Sequence, residues 1–493
     1  MALGLTLAAV VVVLVLWSGA LAGTPTIEVT VAGTPAGVPV PRAFIGLSIE
    51  YSSATAYLGD DPSAPNETFV RLVRALAPSG HPVLRFGGDS TDWTWWPVPG
   101  MRTPGGIRYS LGPQWVDVVR ATARALGARL ILGINLETDS KAIAKTEALS
   151  LLHGLGRSLI AGFELGNEPE LYRSGTWYTT ARGVAVRGRH GRYPVAAYVP
   201  DFERISAVLP GSVPLVGPAS GAPKWVAAVM PFVASNPRVR LITFHVYPLD
   251  RCFTKRSSPH YPTIPNLLSP AAAQWPVTFL AQAISSARAL RLPLRVDELN
   301  SVSCKGANGV SNTFASALWA VEALFELAQD GVEGVNIHTL AGAMYQPFTF
   351  AQVGTRWLAQ VAPLYYGLLL FDRAAPAGSR LLPTTHEQAP SLRTWATLGR
   401  DGAVRVVLIN VSPSRTLELA VRSPLGARAA TVERLRAPGL TARSGVELAG
   451  QSFGALSATG VLAGRQKLTS VRARAGSFFV ELPPASAALL TVR

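Results

Sequence analysis

Two glutamates carry the plainest chemistry in this chain. Glu168 stands in Gly166-Asn167-Glu168-Pro169, and Glu298 in Leu294-Arg295-Val296-Asp297-Glu298-Leu299-Asn300. Each marks the point where an apolar run gives way to polar residues. Two carboxyl groups about 5 Å apart can break a glycosidic bond with retention, one protonating the leaving oxygen while the other attacks the anomeric carbon. The proton donor then needs a less polar or like-charged setting. The nucleophile must stay ionised, which a nearby tyrosine hydroxyl or arginine favours. A single glutamate would more simply be a surface charge or a helix cap. Asn-Glu-Pro at the end of an apolar strand, followed 130 positions later by a second strand-end glutamate, is a far more specific pattern.

Such a pair must be held at one rim, and the sequence supplies the rim. Strand-like stretches recur at Ala43–Tyr51, Pro82–Gly88, Leu130–Glu137, Ile160–Glu168, Val213–Gly217, Leu241–Tyr247, Leu294–Glu298 and Gly334–Thr339. Between them lie segments with helical apolar spacing, including Trp115–Leu126, Phe202–Leu209, Ala271–Leu290 and Asn312–Asp330. Eight such units predict a (β/α)8 TIM barrel over residues 41–365, with catalytic residues at the C-terminal strand ends. The glutamates then close the fourth and seventh strands. Beyond about Tyr366 short alternating strands take over (Val404–Asn410, Thr416–Val421, Ala430–Arg436, Ser477–Leu482 and Ala488–Val492), which predicts a β-sandwich over residues 366–493. Residues 23–40 contain a strand-like stretch, Thr26–Val31, expected to join that sandwich.

Four stretches together resemble glycoside hydrolase family 79, the heparanase and β-glucuronidase family. They are Leu84-Arg85-Phe86-Gly87-Gly88 with Asp92, Phe163 to Pro169, Glu298-Leu299-Asn300-Ser301 running on through Gly309 to Ala315, and Tyr345 after the eighth strand. The resemblance spans most of residues 25–493. It implies a retaining, β-glucuronidase-like hydrolase with Glu168 as acid/base and Glu298 as nucleophile. It further implies that Asn167 bonds the sugar 2-hydroxyl, that Tyr247 bonds the nucleophile, and that Glu50 and Asp89 hold hydroxyls on the non-reducing side. For Glu50 and Asp89 the plainer reading is a loop cap or an ion pair with Arg85. Tyr247 and Tyr345 could equally be rim aromatics, and His245 and His338 read as packed strand residues. Trp93, Trp95 and Trp96 offer either a sugar-stacking platform or core packing.

The chain departs from that family where a uronate would be recognised. Glucuronidases of the family carry a tyrosine and small glycines in the loop after the nucleophile. The corresponding residues here are Ser303, Cys304 and Lys305. Either Lys305 supplies a charge-assisted contact to the carboxylate, or the enzyme takes a neutral sugar such as a glucoside, xyloside or arabinoside. A reading of another class is a non-catalytic carbohydrate-binding envelope protein. The two cysteines, Cys252 and Cys304, read as a disulfide if the protein is exported.

Composition narrows the rest. Hydrophobic residues make up 48% and charged residues 15%, which excludes a disordered chain. The formal charge of +15 suits an acidic polysaccharide, or simply reflects an arginine-rich composition; no run of five basic residues marks a nucleic-acid surface. Residues 1–22 are expected to be a signal peptide or, uncleaved, an N-terminal membrane anchor, which places the enzyme outside the cytoplasm. No cofactor and no metal site is expected. The partner is a carbohydrate substrate, with the membrane involved only through an uncleaved anchor.

Overall fold

The computed structural model describes residues 26–78 and 80–493, so the expected signal or anchor lies outside the described residues. Eight parallel strands close a barrel: Ile45–Glu50, Val83–Gly87, Arg129–Ile134, Ile160–Leu165, Leu215–Ser220, Val239–Val246, Leu294–Leu299 and Gly334–Thr339. Each pairs with the next in sequence, and the eighth pairs with the first, Ile337 facing Leu47. All eight expected strands are present, with ends displaced by a few residues. The first, fifth, seventh and eighth are buried at every position. Helices cover the outside while side chains fill the inside, so these strands read as apolar runs and not as alternating patterns.

Two helical stretches differ from expectation for identifiable reasons. The helix expected at Phe202–Leu209 runs from Val195 to Ser206 and contains Pro200, which hid its first turns. The all-β rhythm expected after Tyr366 begins only at Arg380, because Pro363–Ala374 is a helix packed against Phe314–Gln329. That helix is buried along most of its length, wedged between barrel and sheet, and so shows no amphipathic period.

The C-terminal part is two packed sheets. One follows the order Arg380–Leu382, Leu392–Leu398, Val404–Asn410, Ser486–Val492, Ala429–Arg436 and Glu447–Leu448. The other runs Thr384–His386, Thr26–Val31, Leu417–Arg422 and Phe478–Leu482, so the N-terminal strand sits inside it, parallel to Leu417–Arg422. Val29, Val406, Leu408, Leu419, Val480 and Leu490 fill the space between the sheets. The sandwich also braces the barrel. Trp395 stacks on Phe325 with centroids 5.3 Å apart, and Arg393 reaches the buried Glu322 at 3.0 Å. Both barrel residues lie on Phe314–Gln329, the helix that follows the seventh strand.

Candidate active site

Successive residues on a regular strand point to opposite faces, yet Asp297 and Glu298 both face the buried Arg85, at 3.2 and 2.9 Å. A register shift makes this possible: against the eighth strand the seventh slips between Val296 and Leu299. The sixth strand shifts between Phe244 and His245, bringing His245 level with Glu298. Irregularities of this kind re-aim side chains near sites, and here they turn both strand ends inward.

Arg85 is the hub beneath the pair. Its guanidinium has no exposed surface. Nε donates to Glu164 at 2.6 Å, Nη1 to Glu298 at 2.9 Å and to Ser48 at 3.0 Å, and Nη2 to Asn167 Oδ1 at 2.9 Å. It therefore does not pair with Glu50 or Asp89, the partners its position in the sequence suggested. The fan of donors also fixes the Asn167 amide. Because arginine only donates, Oδ1 must face it and the NH2 group must point into the site.

The Glu298 carboxylate receives Tyr247 Oη on Oε1 at 2.7 Å and Arg85 on Oε2. Burial alone would raise its pKa; His338, His245, Arg85 and the Tyr247 hydroxyl outweigh burial and hold it down to about 2. Glu298 is thus an anion throughout the physiological range. His338 is itself held down to about 4 by burial, so near neutrality it is uncharged and acts on Glu298 only as a dipole. The cations that count are Arg85 and His245.

His245 connects the two glutamates. Its Nδ1 lies 3.0 Å from Glu168 and 3.9 Å from Glu298, and Nε2 lies 3.7 Å from Asp297. Burial lowers its pKa, but Glu298, the bond to Glu168 and Asp297 overcome burial and Arg85 and lift it to about 10. Arg85 Nη2, 3.2 Å from Nε2, would suit a neutral ring that accepts. Three carboxyl groups within 4 Å decide for the imidazolium.

Glu168 is the more open of the pair, its side chain 23% exposed against 9% for Glu298. Its backbone is left-handed, φ 44°, a conformation non-glycine residues rarely adopt and that tends to occur at functional sites. The Glu168 N–H donates to Ala219 at 2.9 Å, which anchors this turn to the fifth strand. One oxygen of Glu168, one of Glu298 and a nitrogen of His245 lie within 4.8 Å of one another. Inverting glycosidases separate their carboxyl groups by about 6.5–9.5 Å, retaining ones by about 5–5.5 Å.

Glu50 and Asp89 complete the floor. Glu50 is buried and accepts the N–H groups of Asp89 and Ser90 at 3.1 and 2.7 Å, capping the short turn after the second strand. Gly88 is required there: a Cβ would stand 2.4 Å from Glu50 Oε1, and its φ is 77°. Burial first, then Asp89, raises Glu50 to about 8; burial first, then Glu168, raises Asp89 to about 7. Tyr345 is buried, its ring 6.3 Å from Tyr247 and 5.8 Å from His338.

The loop after Glu298 forms the outer wall. Cys304 and Lys305 have φ of 57° and 70°, followed by Gly306 at 78°. A Cβ on Gly306 would come within 3.0 Å of the Tyr345 ring, so the loop packs tightly on that tyrosine. Cys304 is disulfide-bonded to Cys252, Cα atoms 6.3 Å apart, which ties this loop to the one after the sixth strand. Ser303 donates its N–H to Leu249, and Lys305 accepts from the Met344 N–H while the residue itself is exposed. Of the tryptophans, Trp95 is core; Trp96 packs against the core, and Trp93 stays partly open.

Comparison with known proteins points one way. Residues 394–489 match the family profile described as glycosyl hydrolase family 79 C-terminal beta domain. A β-glucuronidase of Aspergillus niger is 24% identical over 518 aligned positions, covering 93% of this chain and 92% of the relative. A β-glucuronidase of Neurospora crassa is 23% identical over 454 positions, covering 80% of this chain and 78% of its own. Together these matches support membership of glycoside hydrolase family 79. It is a glycoside hydrolase with a carbohydrate substrate. Solved structures agree on the fold. A 4-O-α-L-rhamnosyl-β-D-glucuronidase from Fusarium oxysporum superposes with a TM-score of 0.72 at 18% identity, over 94% of this chain and 100% of that one. A family 51 arabinofuranosidase from Xanthomonas axonopodis pv. citri reaches 0.67 at 17%, over 95% and 100%.

Several residues of this family 79 site escaped the reading of its sequence. Glu164 and Asp297 are fully buried carboxyls on strand interiors, visible in sequence only as acidic residues inside apolar runs. Burial first, and then Glu164, raises the Asp297 carboxyl well above the usual carboxylate range. His245 looked like packing because it is packing as well: a fully buried ring that also bridges two carboxylates. Glu170 and Glu137, both near Glu168 and Asp89, carried no motif at all.

Proposed function

We propose that the protein is an exported retaining β-glucuronidase in which Glu298 is the nucleophile and Glu168 the acid/base. The observation that carries this is the Glu168–Glu298 pair, with oxygens within 4.8 Å, in which Glu298 is held as an anion by Arg85 and Tyr247. Glu298 attacks the anomeric carbon while Glu168 delivers its proton to the glycosidic oxygen, and the aglycone leaves as an alcohol. The sugar is then an ester of Glu298. Water enters on the vacated face, gives a proton to Glu168 and its oxygen to the anomeric carbon, and the sugar departs with its configuration retained.

His245 donates to Glu168 and sets its orientation. Asn167, its NH2 turned into the site by Arg85, meets the 2-hydroxyl; Glu50 and Asp89, raised to about 8 and about 7, face further hydroxyls. The sugar is a uronate, the substrate class of the curated relatives. Arg85 is already engaged by Glu164, Glu298 and Asn167, so the uronate carboxylate meets its cation at the rim, where Lys305 is exposed. The Cys252–Cys304 bond fits an oxidising compartment.

A panel of aryl glycosides tests this reading on wild type and the two glutamate variants. The expected result is glucuronide cleavage well above glucoside, xyloside and arabinoside cleavage. Faster cleavage of a neutral glycoside would overturn the uronate assignment, and no cleavage of any would overturn the enzyme assignment.

A further inference from the structure

Two loops at the mouth of the barrel end in apolar side chains set among arginines. Phe253, in the loop after the sixth strand, is 86% exposed, more open than any other large apolar side chain among the described residues. Val184 is 59% exposed, beside the turn that joins Tyr178–Thr179 to Ala185–Val186 in the loop after the fourth strand.

Neither tip is a loose end. Asp250 accepts the N–H groups of Cys252 and Phe253, both at 2.7 Å, and its own N–H donates to the His260 carbonyl at 2.9 Å. On the other side Cys252 is bonded to Cys304, and Arg251 Nη1 donates to the Gly306 carbonyl at 2.9 Å. The phenyl ring is therefore held out on a turn fastened to two loops. The hairpin is closed in the same way: Thr180 N–H donates to the Val184 carbonyl and Gly183 N–H to the Thr180 carbonyl, each at 2.9 Å. Turns fixed this firmly display their apolar residues instead of folding them back.

The charge around both tips has one sign. From Asp250 to His260 the loop carries Arg251, Lys255 and Arg256 against one acid, and Asp250 is spent on its own turn. The loop bonded to Cys252 adds Lys305 and no acid before Thr313. The fourth-strand loop has five arginines and no acid between Arg173 and Tyr193. Arg189 is spent on Asp201, at 2.9 Å, while Arg182 and Arg187 are exposed on either side of Val184.

An acidic polysaccharide would use these cations but has little use for a valine or a phenyl ring at a convex tip. Aromatic rings that stack on sugars need polar neighbours to hold the hydroxyls, and here the neighbours only donate. The interface of an anionic bilayer takes both features: apolar tips enter the headgroup layer, and lysine and arginine meet lipid phosphate.

We infer that the barrel mouth docks on an anionic lipid surface, with Phe253 and Val184 entering the headgroup layer and the surrounding cations meeting phosphate. Both loops follow barrel strands, so docking turns the end that carries Glu168 and Glu298 toward the bilayer. The inference does not depend on which sugar the enzyme cleaves.

The test uses the chain as exported and vesicles of phosphatidylcholine, alone or with about one third phosphatidylglycerol. Sedimentation should show binding to the anionic vesicles at least about ten-fold tighter than to the neutral ones, weakening as salt rises. Phe253→Ser and Val184→Ser should each weaken it about ten-fold, while Phe253→Leu keeps most of it. Lys255→Gln combined with Arg256→Gln should weaken it about ten-fold or more. None of these variants should change kcat/KM on a soluble methyl glycoside. Phe253→Trp gives a reading that belongs to the tip itself: its added fluorescence should be quenched by bromine-labelled acyl chains. No binding to anionic vesicles, equal binding to both kinds, binding that both serine variants leave unchanged, or no added quenching would overturn the docking. Capture of the wild type by a soluble uronate polysaccharide without vesicle binding would overturn it too, and give these loops to the polymer.

Discussion

Arg85 Nη1 stands 2.9 Å from Glu298 Oε2, on a guanidinium with no solvent exposure, and the same side chain holds Glu164, Ser48 and Asn167. One buried cation therefore keeps Glu298 charged, orients the amide beside Glu168 and neutralises the barrel interior. Removing one partner of a buried ion pair typically costs about 3–5 kcal/mol, because the remaining charge stays unpaired. Arg85→Met should lose that much stability at neutral pH by thermal or denaturant unfolding. The sign of its pH dependence follows from Glu298. In the wild type its depressed pKa gives stability that is lost as pH falls toward about 2. Without Arg85 the buried carboxyls take up protons more readily in the folded state, so the deficit should shrink on acidification. A deficit that is constant with pH would show that Arg85 acts by packing alone.

Glu298→Ala should abolish turnover of every substrate, by at least about 10⁴-fold, as expected for a lost nucleophile. Glu168→Ala should spare activated aryl glycosides and cripple those with poor leaving groups by about 10²–10⁴-fold, since only the latter need a proton. Steady-state kinetics on nitrophenyl and methyl glycosides decides this; equal losses on both would remove Glu168 from its role.

Tyr247→Phe deletes one donor to the charged form of Glu298. A bond to a charged group is worth about 1.5–3 kcal/mol, or about 1–2 pH units. The acid limb of kcat/KM should move up by that amount while the alkaline limb stays in place. An unmoved acid limb would mean that the hydroxyl does not support the anion.

Lys305→Ala should reduce kcat/KM for an aryl glucuronide far more than for the matching glucoside, about ten-fold or more if one charge-assisted bond is lost. Indifference would move uronate recognition elsewhere on the rim.

The Cys252–Cys304 bond closes a loop of 52 residues. Thiol titration of the denatured, unreduced protein should find no free cysteine. Replacing both cysteines by serine should lower stability by about 2–4 kcal/mol. Two titratable thiols would remove the staple between the walls of the site.

The eight barrel strands, the later all-β segments and the two strand-end glutamates were legible in the sequence because each rests on local order: apolar runs, turn residues, an Asn-Glu-Pro terminus. Burial on both faces blurred the helix Pro363–Ala374, whose apolar surface has no period to read. The partners of the glutamates were another matter. Arg85, Glu164, His245 and Asp297 come from four different strands, and a one-residue slip in a strand decides which side chains face inward. Only the closed barrel could show that Arg85 serves Glu298 and not Glu50. The sequence by itself determined the pair of acids and the barrel that carries them. The tertiary structure decided which acid is held as an anion, because charge state depends on neighbours brought together from distant parts of the chain.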